Sequence, residues 1–574
     1  MKTTTMIAFA LLASPACFGQ LTPEQKEADF NVLAALYSKN YAPYEWKKQA
    51  FGFDLLHTGP WLERVRQSIT DLDFYDVCVE YVASLQDTHD AFFLPSDFVA
   101  ALNLSLDIYD GKVLIDGISR ARLPLARFPF VAGDEVVSVD GVAVDRLLED
   151  FAKYAMQGNP RSTRRLAAAR IATRPQSRMP HAPDVGDSAT VVIRRMSGAE
   201  ETYTLPWTKT GTPLQVGPVP SPKRAARTAA RIDEDGELGL PLESEDDSAL
   251  PDYERFWRKL QHSQASEPYG VLGYGQRNPL FSPPAGFTQR LGTSPADFFV
   301  SGTYQNSGLR LGFIRIPSYA TLSAAVLTQF EREMAFFEQN TDGLVIDQMR
   351  NPGGFACFGE NIVARLTPGE FRPIGFEIRA TRGWLVSIYS ALQTARAAGA
   401  DQWIIDLYES LYRQINQAYS ENRGLTGPVP LCTPSSTRRG ATDAAGRSIA
   451  YSKPILMIVD EFSTSGGDAV PAMLQDAGRV TLFGMRTNGA GGTNTALDTG
   501  AYSEGFTGMT LGIMTRKGPI ATPEYPEAPY IENIGVRPDI QVDYMTRDNL
   551  LQQGRPFVAA FTEAIVAAIR AGAK

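Results

Sequence analysis

The sequence predicts a multidomain α/β protein, and three observations carry that expectation. Apolar residues recur near helical spacing from residue 22 to about 96, among them Leu33, Leu36, Tyr37, Ile69, Leu72, Phe74, Val77, Val79, Val82 and Leu85. Short strands broken by turns follow, from about residue 98 to 210. Two apolar runs, residues 344–346 and 454–459, each lead through a glycine-bearing turn into a helical pattern, as buried parallel strands do. A chain of 574 residues exceeds what one core supports, so about three domains are expected.

Residues 1–19 carry a basic Lys2, an apolar run over 6–13 and small residues behind it, the order of a secretory signal peptide. Cleavage is expected after Gly19, leaving Gln20 at the new end. Lipid attachment at Cys17 is the weaker alternative, because Ser-Pro-Ala is a poor lead-in to a modified cysteine. The run is too short to span a bilayer and no later segment is long and apolar enough, so a secreted or periplasmic protein without membrane insertion is expected.

Residues 20–97 are expected to form a helical domain that ends where Pro95 interrupts regular structure. Residues 98–210 form a small β domain, with an Arg- and Pro-rich insertion at about 153–187. Its phrase FPFVAGDEVVSVDGVAVDRLLEDF resembles the second half of a PDZ domain, through Gly133-Asp134-Glu135 and Asp140-Gly141. Residues 211–300 are acidic, proline-bearing and weakly periodic, which reads as a linker or irregular insertion. An α/β core is expected over 301–548. It is interrupted at about 384–450 by a helical, then Pro-, Thr- and Arg-rich insertion that could be a lid, an oligomer contact or a substrate platform. An amphipathic helix over 549–574 ends the chain.

The net charge of −9 gives no support for nucleic acid or an anionic membrane as partner. With Cys17 removed, Cys78, Cys357 and Cys432 remain. A Cys357–Cys432 disulfide is the better pairing, with three buried thiols as the alternative. No His, Cys and carboxylate spacing fits a metal, so neither metal nor cofactor is expected.

The strongest local signal is KPILMIVDEFSTSGGDAVPAMLQDAG. Ser465 stands where strand turns into helix, and the free amides at the helix start stabilise negative charge there. Acyl transfer needs that arrangement, but a serine in this place also reads as an ordinary helix cap. In DGLVIDQMRNPGGFACFGENIVARL, Gly353 and Gly354 allow backbone amides to approach a ligand, although alone this is a common strand-to-helix turn. Four histidines occur. His57 reads as structural, His181 and His262 lie in insertions, and His89 sits in Asp87-Thr88-His89-Asp90 just past a helix.

Together these phrases resemble the serine peptidase family of C-terminal processing peptidases and tricorn-like proteases. The match rests on residues 347–354 (DQMRNPGG), 460–468 (DEFSTSGGD), 484–492 (GMRTNGAGG) and 532–540 (ENIGVRPDI), in the family's order. The resemblance implies a ClpP/crotonase-like α/β protease core. Processing peptidases use a Ser–Lys dyad, but Ala490 occupies the lysine's place, and Lys517 is supported only by sequence proximity. The tricorn-like tetrad of Ser, His, Ser and Glu fits better: Ser465 as nucleophile, His89 as base, Glu532 before Gly-Val-Arg-Pro-Asp-Ile, and Thr88 where the family has serine. Thr88 and Glu532 would orient the imidazole, and Gly466 with Gly353 or Gly354 would bind the oxyanion.

The resemblance implies a serine endopeptidase acting on proteins or peptides, with the PDZ-like region holding an extended chain. A non-catalytic ligand-binding protein on the same scaffold is the alternative, since the interphotoreceptor retinoid-binding protein resembles this family yet carries apolar ligands. An esterase is a third reading. A homo-oligomer is compatible with the sequence, which does not specify one.

Overall fold

The computed structural model describes residues 20–218 and 271–572. The expected signal peptide, His262 and most of the acidic stretch lie outside the described residues.

The centre is a seven-stranded sheet in the order 288–291, 300–306, 309–315, 343–347, 455–459, 481–484, 540–541. The first two pairings are antiparallel, and from Leu309–Arg315 onward the strands run parallel. All five residues of Gly343–Asp347 and of Ile455–Val459 are buried, as a sheet covered on both faces requires. Their side chains alternate between two cores. Leu344, Ile346, Ile455, Met457 and Val459 face one, and Val345, Leu456 and Ile458 face the other. The second core is closed by the terminal helix Arg555–Gly572 through Phe557, Phe561 and Ile565. Fully burying a side chain such as Phe561 contributes about 1.5–3 kcal/mol.

The N-terminal segment is helical as expected, in Pro23–Asn40, Tyr44–Phe51, Gly59–Gln67 and Asp71–Ala83. Thr22 with Gln25, and Thr70 with Asp73, form reciprocal capping boxes that start the first and last of these. The segment is not a separate domain, however. Phe30, Leu33, Tyr37, Phe74 and Val82 belong to the same core as Ile346, Val470 and Leu511. Strand Phe92–Phe93 pairs with Phe506–Ile520 in a second, six-stranded sheet. Ile69, counted with the apolar helix face, lies outside the helices and is exposed.

The small β domain has its own core and a six-stranded sheet built from Leu104–Tyr109, Lys112–Ile118, Glu135–Val139, Val142–Ala143, Ser188–Arg194 and Glu200–Pro206. Asp140 and Gly141 both have positive φ, which the tight turn between the third and fourth of these strands requires. The expected insertion at 153–187 contains the helix Pro160–Ala172, whose Leu166, Ala167, Ala168 and Ile171 belong to this core.

Two boundaries differ from expectation. Residues 271–300 are part of the core rather than a linker: Thr288–Leu291 is the edge strand, and Phe281 is buried against Phe313 and Phe561. This strand's side chains are mostly exposed, so it has no apolar alternation to read. The insertion at 384–450 is a helical hairpin, Arg382–Ala397 and Gln402–Ser420, after which Leu425–Val429 returns to pair with Gly375–Arg379. Cys432, just beyond that strand, is disulfide-bonded to Cys357, and Cys78 is a buried free thiol.

Among the described residues no helix is long and apolar enough to cross a membrane.

Candidate active site

Adjacent parallel strands open the site. Gly343–Asp347 and Ile455–Val459 pair with Asp347 opposite Ile458, so both release their turns at one edge of the sheet. The carboxyl ends of parallel strands are where open α/β folds build their clefts. The chain leaving Val459 reaches Ser465, the N-cap of the helix Gly466–Asp476, with φ +57° and ψ −111°. A non-glycine residue seldom adopts that backbone, and such conformations cluster at functional sites. Ser465 is half-buried, whereas its neighbours Thr464 and Gly466 are buried.

The turn from Asp347 presses directly on this elbow. A Cβ at Gly353, whose φ is +89°, would come within 2.6 Å of the Gly466 nitrogen and 2.8 Å of Ser465 Cβ. Only glycine fits there. The Gly353 amide donates to Asn351 Oδ1 at 2.8 Å. The amides of Gly354 and Gly466 have no acceptor among the described residues, and a Cβ at Gly466 would lie 3.3 Å from the Gly354 nitrogen. Two unengaged amides therefore sit side by side next to Ser465.

Asp468 ties the elbow to the glycine-rich phrase that follows it in sequence. Its Oδ2 accepts from the Ser465 amide at 2.8 Å and the Ala490 amide at 3.1 Å. Its Oδ1 accepts from the Gly489 amide at 2.8 Å and from the Thr487 hydroxyl. Burial outweighs these donors and pushes Asp468 up to about 6. Ala490, standing in the lysine's place, is fully buried, and Lys517 is exposed at the far end of its strand.

His89 approaches from the N-terminal segment. Its backbone amide donates to Asp87 Oδ1 at 2.9 Å, and the ring is buried with Nδ1 lacking a hydrogen-bond partner. Burial holds its pKa below the ordinary value, Asp87 opposes that, and Lys47 adds to it. No hydrogen bond joins the ring to Ser465, Thr88 or Glu532 in this conformation. Thr88 instead accepts from the Gly158 amide at 2.7 Å and donates to Asn488 Oδ1 at 2.7 Å. Asn488 in turn donates to the Thr464 hydroxyl at 3.2 Å. One asparagine thus links the residues that precede His89 and Ser465.

Glu532 is fully buried, with both carboxylate oxygens engaged. Lys47 Nζ lies 2.6 Å from Oε1, and the Gly491 amide donates to Oε2 at 2.8 Å. Lys47 also donates to Gln86 O at 3.1 Å and Asn533 Oδ1 at 2.7 Å. Burial and the charge of Asp87 push Glu532 up to about 8, and Lys47 pulls it back. Asp90 is likewise raised, by burial and then by Asp87. Of the other described histidines, His57 is exposed, and His181 pairs with Asp184 and Asp73.

Four residues that organise the site escape sequence reasoning. Asp468 and Asn351 had a signal, as the acid three residues past the cap and the polar residue before Pro-Gly-Gly. Asn488 stands in the glycine-rich phrase 484–492 with nothing local to give it a role, and Lys47 had no signal, because its carboxylate is 485 residues away. Among the described residues no three His, Cys, Asp or Glu side chains gather as a metal site.

Comparison with known proteins bears on the fold and the class of chemistry. The model of peptidase family S41 matches residues 310–542, and a PDZ domain model matches residues 99–214. A Chlamydia pneumoniae protein is 26% identical over 99% of this chain and 94% of its own length. A Chlamydia trachomatis protein is 24% identical over 91% and 89%. The crystal structure of mature CPAF matches with a TM-score of 0.72 at 20% identity, covering 95% of this chain and 98% of that one. Mature CPAF complexed with lactacystin gives 0.72 at 19% identity, over 95% and 99%. At such identities the structural likeness speaks for the fold, and the family match for the chemistry. The chain carries a peptidase family S41 domain over residues 310–542 beside a PDZ domain over 99–214, and is a serine-type peptidase.

Proposed function

We propose that the protein is an exported endopeptidase that cleaves proteins or peptides through an acyl-enzyme on Ser465. The contact between the strained elbow at Ser465 and the turn at Gly353-Gly354 carries this reading. It sets a hydroxyl beside two unengaged amides, the donor pair that a tetrahedral oxyanion needs. Gly466 and Gly354 supply those amides. Gly353, its own amide held by Asn351, provides the space and the turn.

His89 takes the Ser465 proton during attack and returns it to the leaving amine. A base with a depressed pKa is neutral, and so able to accept, somewhat below pH 6.5. Catalytic hydrogen bonds tighten when substrate arrives, so the absence of a His89–Ser465 hydrogen bond is compatible with this role. Thr88 adjoins His89 in the chain, and Glu532 reaches it only indirectly, by holding Lys47, whose charge lowers the His89 pKa. Export is supported by the signal-like N-terminus and by the Cys357–Cys432 disulfide, a bond that oxidising compartments sustain.

The test compares the wild-type protein with Ser465→Ala and His89→Ala for fluorophosphonate labelling and casein cleavage. Lactacystin, with which CPAF has been crystallised, serves as a competing probe. Ser465→Ala is expected to take no label and to lose about 10⁶-fold in turnover. Casein cleavage by Ser465→Ala at the wild-type rate defeats the reading. A folded wild-type protein that neither labels nor cleaves points to a ligand-binding protein on this scaffold.

A further inference from the structure

Residues 157–165 belong to the PDZ domain, yet their polar groups are spent on the peptidase site. The Gly158 amide donates to Thr88, beside His89. Gln157 Oε1 accepts from Asn488 at 3.1 Å, and Asn159 donates to Thr487 O at 3.1 Å. A Cβ at Gly158 would lie 2.6 Å from Gly489 O, so the two backbones touch. On the helix Pro160–Ala172, Ser162 donates to the Glu461 carbonyl, and Arg161 and Arg165 both bond Glu461 Oε1, Arg165 at 2.9 Å.

The next residue of that loop goes further. Phe462 is fully buried among the apolar side chains of the PDZ domain, with the Arg165 guanidinium 4.6 Å from its ring centroid. Arg165 is itself fixed, through Nε and Nη2, to Asp107 on strand Leu104–Tyr109 at 2.8 and 2.6 Å. The nucleophile loop is therefore anchored in a foreign core three residues before Ser465.

We propose that residues 157–165 form a brace by which the PDZ domain positions the nucleophile loop, with Arg165 as its central positioning residue. The proposal rests on the assignment of Ser465 as nucleophile. The planar fork of Arg165 holds Asp107 and Glu461 at once, and its face covers Phe462. A point charge on a flexible stem cannot do all three. A link that served only to glue two domains together would change stability and leave the reactivity of each folded site untouched.

The experiment uses the full chain. Arg165→Met, Arg165→Lys and Arg161→Met are compared with the wild type in two readouts. The first is the second-order rate constant of fluorophosphonate labelling per titratable site. The second is amide hydrogen exchange over residues 460–467. Arg165→Met is expected to label about 30-fold more slowly per site, a displaced nucleophile being worth up to about 10²-fold, with Arg165→Lys in between. Exchange at 460–467 is expected to rise at least about tenfold while strand Gly343–Asp347 stays protected.

If Arg165→Met does not fold, Arg161→Met decides, since its side chain is 36% exposed and gives up only part of the Glu461 contact. A loss of about threefold or more, with faster exchange, supports the brace. Wild-type labelling per site and unchanged exchange, with only a lowered melting temperature, overturn it. A folded wild-type chain that takes no label defeats the Ser465 assignment instead. The exchange measurement then judges the brace alone, and unchanged exchange overturns it.

Discussion

Replacing Lys47 by methionine tests the buried charges behind His89. Methionine matches the length of the lysine stem but removes the ammonium that contacts Glu532, Gln86 O and Asn533 Oδ1. Removing one member of a fully buried ion pair costs about 3–5 kcal/mol, because the partner is left without compensation. Here the partner has an escape, since Glu532 can keep its proton. In the wild type Glu532 ionises at about 8, and without Lys47 that value moves higher still. A carboxyl whose folded pKa lies above its unfolded one loses stability as pH rises between the two. Wild-type stability therefore stops falling on this account once pH passes about 8, whereas that of Lys47→Met continues to fall. The gap between the proteins is expected to be smallest near pH 6 and to widen by about 1.4 kcal/mol per pH unit above 8. Urea unfolding at several pH values measures it. Fluorescence of Trp46 reports on the junction directly, because its indole donates to Asn533 Oδ1 at 3.1 Å. A gap independent of pH, or an unchanged midpoint at pH 9, refutes the argument.

Two further substitutions bear on the elbow. Asp468→Asn keeps one carbonyl oxygen for four donors and turns an amide group toward the other two. Losing two bonds to an ionised acceptor costs about 3–6 kcal/mol, with about 10²-fold slower fluorophosphonate labelling; labelling within twofold of wild type counts against Asp468 as the tie. Gly353→Ala places a methyl group within 2.6 Å of the Gly466 nitrogen and the Thr464 oxygen. Strain of about 1–3 kcal/mol and loss of labelling are expected, and an alanine variant that labels normally shows that the turn has room the geometry denies it.

Much of the fold was readable because parallel strands buried on both faces leave unmistakable apolar runs. Residues 344–346 and 455–459 lie in neighbouring strands whose turns meet, and the four glycine-bearing phrases converge around them. The edge strand Thr288–Leu291 was missed because its side chains face outward and carry no pattern. Residues 153–187 read as an insertion because arginines crowd the helix Pro160–Ala172 and mask its small apolar face of Leu166, Ala167, Ala168 and Ile171, while its polar contacts are with distant loops. Distant contacts also build the surroundings of His89. Sequence motifs point to Thr88, His89 and Glu532 as candidates, but not to Lys47, whose carboxylate partner is 485 residues away.

The pairing of strand Phe92–Phe93 with Phe506–Ile520 has a consequence in time as well as space. The chain is made from its N-terminus, so its first hundred residues emerge long before residues 506–533 exist. Until then Phe92 and Phe93 lack their partner strand, Tyr37 lacks the Thr507 hydroxyl 2.7 Å from its own, and Lys47 lacks Glu532. Contacts of such separation close late. The surroundings of His89 are thus completed only when nearly the whole protein has been synthesised, and a chain truncated before residue 506 would carry the Ser465 loop without the strand and the carboxyl group that enclose the histidine's neighbourhood.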